Sequence, residues 1–278
     1  MITIGVPTLN GPDRLFRCLR SIAECTNLEG VRVLVCDDGS TPDNLKFNKD
    51  TIHNFSPEIP GLEMLMNGGR FGIAKSWNLL TRHYADAKII VLLNDDVEVV
   101  DYWLDVLRYS LEANPCAGMV GLNSYIALMK DQHASLHPNA LPHERLPLVD
   151  YREAKLLDGD GSILSAQGPI FAFRKDVFDL VGGFDERYFV YYEELDFAVS
   201  LRKNGLFSFV TSYPMTYHMG GATNSDTRNL VASDHMARSR RLFIEKWGKT
   251  PAELREEFFA DYKRPRLREW TSQIQNWK

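Results

Sequence analysis

Long apolar runs are what this sequence most plainly lacks. No stretch of its 278 residues approaches the roughly 18 to 20 apolar positions of a membrane-spanning helix. The opening MITIGVPTLN has no basic n-region, and its apolar run is too short for a signal peptide. Cysteine is scarce. Cys18, Cys25, Cys36 and Cys116 show no metal-type spacing and are too few for a disulfide scaffold, so a reducing, cytoplasmic setting is expected. A basic excess is missing too: 32 Lys and Arg stand against 37 Asp and Glu, a net charge of −5, which argues against a general polyanion-binding surface. No GxGxxG follows the first apolar segment and no GxxxxGK(S/T) occurs, so the dinucleotide fingerprint and the P-loop are both absent. Internal repeats and low-complexity segments are absent as well. What is present, 44% apolar and 25% charged residues, is enough for one large α/β domain or two small ones.

The apolar segments alternate in type. ITIGV (2–6) reads as a strand stopping at Pro7, and Pro12 opens a helix marked by Leu15, Cys18, Leu19 and Ile22. VRVLVC (31–36) and LEMLMN (62–67) read as strands, the second followed by the loop GGRFG. Ile73, Trp77, Leu80 and Tyr84 mark a helix, KIIVLL (88–93) a fourth strand, and Trp103, Val106, Leu107 and Leu111 another helix. This order predicts a mostly parallel, Rossmann-like sheet with helices on both faces. Residues 124–165, with Pro138, Pro142, Pro147 and His133, His137 and His143, read as a long functional loop, its histidines solvated rather than metal-bound. Beyond it the sequence predicts a strand, a short helix over 175–181, a Gly-Gly turn, a helix over 191–205 closed by Gly205, and a strand ending at His218.

In such sheets the ligand lies beyond the carboxyl ends of the strands. Those ends are Pro7-Thr8-Leu9-Asn10, Asp37-Asp38-Gly39-Ser40, Asn67-Gly68-Gly69-Arg70 and Asn94-Asp95-Asp96. Adjacent carboxylates at the mouth of an apolar strand repel one another and cost desolvation energy unless a cation or hydrogen bonds neutralise them. With Glu193 and Glu194 added, that many carboxylates call for a hard divalent ion, Mg²⁺ or Mn²⁺, bridging a bound diphosphate. The expected substrate is a nucleotide diphosphate carrying a leaving group.

Six blocks, in order, resemble glycosyltransferase family 2 enzymes of the GT-A fold, closest to the bacterial rhamnosyltransferase-like branch. They are IGVPTLNGPDRLFRCLRSI, VLVCDDGS, NGGRFGIAKSWNLL, VLLNDDVEV, GGFDERYFVYYEELDFAVSLRKNG and YHMGG, and with LFIEKWG the resemblance covers about residues 2 to 248. It implies a fold with a nucleotide-binding half (about 1–100) and an acceptor half with a smaller sheet region (about 101–248), followed by a helical tail (249–278). Pro7, Thr8, Leu9 and Asn10 would wall the base and ribose. Asp38 would accept from a ring N–H of the base, with Asp37 as neighbour or cap, and Arg70 would reach base or phosphate. Asn94 and Asp95 would meet ribose or donor sugar, and Asp96 with His218 would hold the metal. Glu194 would be the catalytic base, with Glu193 beside it. Where the family usually has Glu-Asp this chain has Glu-Glu, and Asn-Asp-Asp stands in place of a strict Asp-x-Asp.

The implied reaction is inverting, metal-dependent transfer of a sugar from a UDP, GDP or dTDP donor to a hydroxyl acceptor: a glycan, a lipid-linked saccharide or another polymer. Rival readings are a sugar-1-phosphate nucleotidyltransferase, an inactive nucleotide-sugar-binding protein, and transfer to hydroxylated bases of modified DNA. The tail, with Arg255, Lys263, Arg264, Arg266, Arg268, Trp270 and Trp277, reads first as an amphipathic helix packed through Leu254, Phe258 and Tyr262. A partner surface, a peripheral membrane contact and a polyanion patch are the alternatives.

Overall fold

The computed structural model describes residues 1–126, 148–150, 169–219 and 230–260. Of the residues singled out above, His133, His137, His143, Pro138, Pro142, Pro147, Tyr262, Lys263, Arg264, Arg266, Arg268, Trp270 and Trp277 lie outside them.

In chain order the elements are β1 (Ile2–Thr8), α1 (Pro12–Cys25), β2 (Val31–Asp37), α2 (Pro42–Phe55), β3 (Glu63–Met66), α3 (Ile73–Arg82), β4 (Ile89–Leu93), β5 (Val97–Glu98) and α4 (Trp103–Ala113). They continue with β6 (Ala117–Ile126), β7 (Leu148–Asp150), β8 (Ile170–Arg174), α5 (Lys175–Val181), α6 (Glu193–Lys203), β9 (Phe207–His218), α7 (Leu230–Trp247) and α8 (Pro251–Ala260). The strands form one mixed sheet in the order β3-β2-β1-β4-β8-β6-β9-β5, with β7 also paired to β9. β1 runs parallel to β2 and β4, and β2 to β3. β8 is antiparallel to both β4 and β6, while β9 is parallel to β6. β5 and β7 are antiparallel to β9, so they and β8 oppose the common direction of the other strands.

The continuous apolar runs are strands buried on both faces. In β4, Ile89, Val91 and Leu93 enter one core with α1 and α4, while Ile90 and Leu92 enter the other with α3, α5 and α6. β2 divides the same way, Val31, Val33 and Val35 against Leu34 and Cys36. The second core is largely aromatic: Trp77, Phe171, Phe173, Phe178, Phe184 and Phe197, with Phe184 stacked on Phe197 at 4.5 Å. A third, small cluster joins Tyr188, Val199, Phe243 and Leu254, with Phe258 packed against it, and ties α6, α7 and α8 together.

Several local expectations are corrected. β1 continues through Pro7 to Thr8, because its pairing with β4 ends at Gly5 and the missing Pro7 N–H falls where β4 offers no ladder partner. Residues 42–55 form a helix that apolar spacing does not announce, and Tyr84 lies beyond the end of α3. The segment read as a loop from 124 contains the end of β6 and, at 148–150, β7. The helix expected from 191 begins at Glu193, because Tyr191 and Tyr192 both have left-handed backbone, φ 68° and 73°. α7 is a further helix not expected from the sequence. Among the described residues no helix is long and apolar enough to cross a membrane.

Candidate active site

The turn after β4 answers its own charge problem by dividing it. Asp95 turns toward β1 and α1: Thr8 Oγ1 donates to Oδ2 at 2.7 Å, and Arg14 Nε donates to Oδ1 at 3.2 Å. Arg14 Nη2 also donates to the Leu9 carbonyl at 3.1 Å, binding the end of β1 to α1. Gly11 leaves room for this arrangement, since a Cβ there would run into the Arg14 guanidinium and Asp95. Burial outweighs Arg14 and Thr8 and pushes the Asp95 carboxyl up to about 6.

Asp96 goes the other way. β5 pairs antiparallel with β9, setting Val97 opposite His218, and the adjacent Met219 N–H donates to the Asp96 carbonyl at 3.0 Å. This register brings Asp96 Oδ1 to 3.2 Å from His218 Nε2. The approach lacks hydrogen-bond geometry. Asp96 is 8% exposed, yet neither its Oδ1 nor His218 Nδ1 makes a hydrogen bond among the described residues. A buried carboxylate oxygen beside an imidazole, incompletely hydrogen-bonded, suits a cation better than a closed ion pair. No third His, Cys, Asp or Glu joins them among the described residues.

The turn after β2 is built otherwise. Asp37 Oδ1 accepts from the backbone of Gly39 and Ser40 at 3.0 and 2.8 Å, and Oδ2 accepts from Asn48 at 2.9 Å. Asp38 Oδ1 accepts from Asn67 Nδ2 and the Phe71 N–H, and Oδ2 from the Gly72 N–H at 2.9 Å. Of about four acceptor positions on its carboxylate, three are filled. Asn10, with φ 51°, takes its N–H to Ser40 Oγ and accepts from the Thr41 N–H, so it clips the two turns together at the start of α2. Pro7 is buried, Leu9 half-buried, and Asn94 uses its N–H on the Pro169 carbonyl at 2.9 Å.

From Asp38 the contacts pass through Gly72 to the segment that precedes α6. Gly72 has φ 92°, and a Cβ there would strike the Phe189 carbonyl, which accepts from the Ile73 N–H. Arg70 is exposed and stacks over the Phe189 ring at 5.6 Å. Shortly after Phe189, the two left-handed tyrosines deliver Glu193 and Glu194 to the first turn of α6, where the helix dipole favours carboxylates. Glu193 is buried, and burial, then the neighbouring Glu194 charge, push its carboxyl well above the ordinary range. Glu194 is half-buried. Asp196, also in the first turn of α6, accepts from Lys246, Trp247 and Tyr188.

Arg14 is the site residue that sequence reasoning missed. Its signal was position, since an arginine in the first turn of a helix, where anions are preferred, calls for an anion of its own. Asn67, the second omission, carries no such signal; only the β2–β3 register sets it beside Asp38.

Residues 3–182 match the profile of the family described as Glycosyl transferase family 2. The N-acetylglucosaminyl-diphospho-decaprenol L-rhamnosyltransferase of Mycobacterium tuberculosis is 26% identical over 260 residues, covering 84% of this chain and 80% of that protein. Among solved structures, the mannosyltransferase PcManGT from Pyrobaculum calidifontis, in complex with GDP-Man and Mn²⁺, superposes with a TM-score of 0.65 at 18% identity, over 94% of this chain and 68% of that one. S. aureus TarS 1–349 in complex with UDP-GlcNAc gives a TM-score of 0.63 at 16% identity, over 94% and 70%. Glycosyl transferase family 2 is the family to which this chain belongs, and the protein is a glycosyltransferase with the GT-A fold.

Proposed function

We propose that the protein transfers a deoxyhexose of the L-rhamnose type from a nucleotide diphosphate-sugar to a hydroxyl of a lipid-linked or polymeric saccharide, with inversion at the anomeric carbon. The observation that carries the reading is the meeting of Asp96 and His218 at the carboxyl ends of the strands, with an orphaned buried carboxylate oxygen. These residues fit a divalent ion, and the imidazole favours Mn²⁺ over the more strictly oxygen-liganded Mg²⁺. When bound, the ion would supply Lewis-acid neutralisation of the leaving diphosphate. The L-rhamnosyltransferase name of the mycobacterial relative supports the sugar class and a lipid-linked acceptor.

The chain's own residues do the rest. Thr8, Leu9 and the fourth acceptor position of Asp38 face the nucleoside, and Arg70 reaches over the rim. Glu194 takes the proton from the acceptor hydroxyl while that oxygen bonds to the anomeric carbon. The bond from this carbon to the diphosphate oxygen breaks on the opposite face, and its electron pair leaves with the nucleoside diphosphate. Glu193 is the less accessible of the two, being buried where Glu194 is half-buried.

The test is Glu194→Gln against Glu193→Gln, assayed with L-rhamnose carried on UDP, GDP or dTDP and N-acetylglucosaminyl-diphospho-polyprenol as acceptor. Glu194→Gln should lower transfer by about 10²-fold or more while nucleotide binding holds, the usual scale for loss of a general base. Transfer that survives Glu194→Gln and is lost with Glu193→Gln would move the base by one residue.

A further inference from the structure

The segment that delivers the two glutamates is closed by a single ammonium. Lys246 Nζ, near the end of α7, donates to Asp185 Oδ2 at 2.9 Å and to Asp196 Oδ2 at 2.8 Å. Asp185 precedes the Glu193–Glu194 turn and Asp196 follows it, so the chain leaves Lys246 at one carboxylate and returns to it at the other. Asp196 is 1% exposed, and its second oxygen accepts from Trp247 Nε1 at 2.8 Å and Tyr188 Oη at 3.3 Å. α7 holds the middle of the segment as well: Ser239 Oγ donates to the Val190 carbonyl at 2.9 Å, and His235 stacks on Phe189 at 5.0 Å.

Inside this closed segment lie Tyr191 and Tyr192, both left-handed. Consecutive non-glycine residues in that region are strained, and they persist only where the surroundings over-determine them. Only Asp196 in this cluster is fully buried; Lys246 is exposed and Asp185 half-buried, and ion pairs that reach solvent add little to stability by themselves. What such a cluster does provide is a fixed geometry. Here the geometry fixed is the entry to α6.

We infer that Lys246 is a positioning residue for transfer, holding the strained Tyr191–Tyr192 turn so that the first-turn glutamates of α6 face the acceptor hydroxyl. The inference rests on the reading that the base lies in Glu193–Glu194. Lys246 acts through the backbone between Asp185 and Asp196, without touching donor or acceptor. The LFIEKWG block thereby acquires a role, through its Lys and Trp, on the acceptor side of the reaction.

The test compares Lys246→Met and Lys246→Arg with the parent protein in the transfer assay above, with nucleotide binding followed by calorimetry using UDP, GDP and dTDP with Mn²⁺. Lys246→Met should lower kcat about 10- to 100-fold, the scale of a misplaced catalytic group, with donor KM and nucleotide Kd within about 2-fold. Lys246→Arg should recover part of the loss. Hydrogen exchange should quicken in residues 186–195 and stay unchanged in the strands β1, β2 and β4. Unchanged kcat and unchanged exchange in that segment would overturn the inference, as would a loss shared equally by nucleotide binding and by exchange across the chain. If Lys246→Met fails to fold, Trp247→Phe, which removes one donor to Asp196 and leaves the ammonium, should give the same pattern at smaller amplitude, and its absence would overturn the inference. Glu193→Gln and Glu194→Gln run in parallel. If neither affects transfer, the base reading and this inference fall together, whereas if one abolishes transfer and Lys246→Met leaves kcat intact, only this inference falls.

Discussion

The turns after β2 and β4 carry the same Asp-Asp pair, and the fold uses the two pairs in opposite ways. At Asp37–Asp38 six donors from the protein itself give each of the four carboxylate oxygens at least one hydrogen bond. At Asp95–Asp96 one carboxylate is neutralised by Arg14 and Thr8, and the other keeps a buried oxygen with no hydrogen-bond donor among the described residues. The difference teaches that an acidic turn is a candidate site only to the extent that the protein leaves its oxygens unspent. The β2 turn spends its carboxylates on its own loops; the β4 turn keeps one buried oxygen that no donor among the described residues reaches.

The strongest way to break this comparison is to cut the β2 turn. Asp37→Ala removes three hydrogen bonds to one buried carboxylate and should cost about 2–4 kcal/mol of stability, at about 0.5–1.5 kcal/mol for each bond. Chemical denaturation reads it. A loss as small as that of a surface substitution would mean that the turn is held by other contacts.

The second effect is a pH dependence confined to the β4 turn and α6. Asp95, pushed up to about 6, and Glu193, raised by burial, keep their protons in the folded chain above the pH at which the unfolded chain releases them. Folding then takes up protons, so this stability is complete below about pH 4 and is lost as pH rises, through about 6 for Asp95. The Asp95 share is about 3 kcal/mol in the metal-free protein, a little over two pK units at about 1.4 kcal/mol each. Arg14→Met should extend the fall to higher pH, because removing the counter-charge raises the Asp95 carboxyl further. Denaturation midpoints between about pH 4 and 8 that do not move with this variant would contradict the division of charge between Arg14 and Asp95.

Asp38→Asn sharpens the comparison with a smaller expected cost, about 1–2 kcal/mol, because its amide sets a donor against one of the N–H groups it now accepts from. Nucleotide affinity should fall with it and base preference relax. Equal weakening toward UDP, GDP and dTDP would leave Asp38 as support for the 67–72 loop alone.

How much of this was legible in the sequence follows from the physics of each element. The two-faced strands announce themselves as apolar runs, and α1, α3 and α4 by their apolar spacing. α2 does not, because its buried residues are the polar Asn48 and Thr51 with Phe55 alone apolar. α7 is hidden similarly: within its described stretch the inward positions are Ser239 and Phe243, set among charged residues. The acidic pairs were visible as residues and not as roles, since the donors that distinguish them, Arg14, Asn48, Asn67 and the backbone of 71–72, arrive through strand register and loop closure. His218 could be placed beside Asp96 only by resemblance; the β5–β9 register is its physical cause.

The central claim, that Asp96 and not the β2 pair is kept for a metal ion, is tested most directly by calorimetry of UDP, GDP and dTDP with Mn²⁺ on the parent protein, on Asp96→Ala and on the parent protein with EDTA. We predict metal-dependent binding of one nucleotide by the parent protein, lost both in Asp96→Ala and with EDTA, with the variant's thermal midpoint held or raised because an unsatisfied buried carboxylate has been removed. Nucleotide binding that is indifferent both to EDTA and to Asp96→Ala would contradict it.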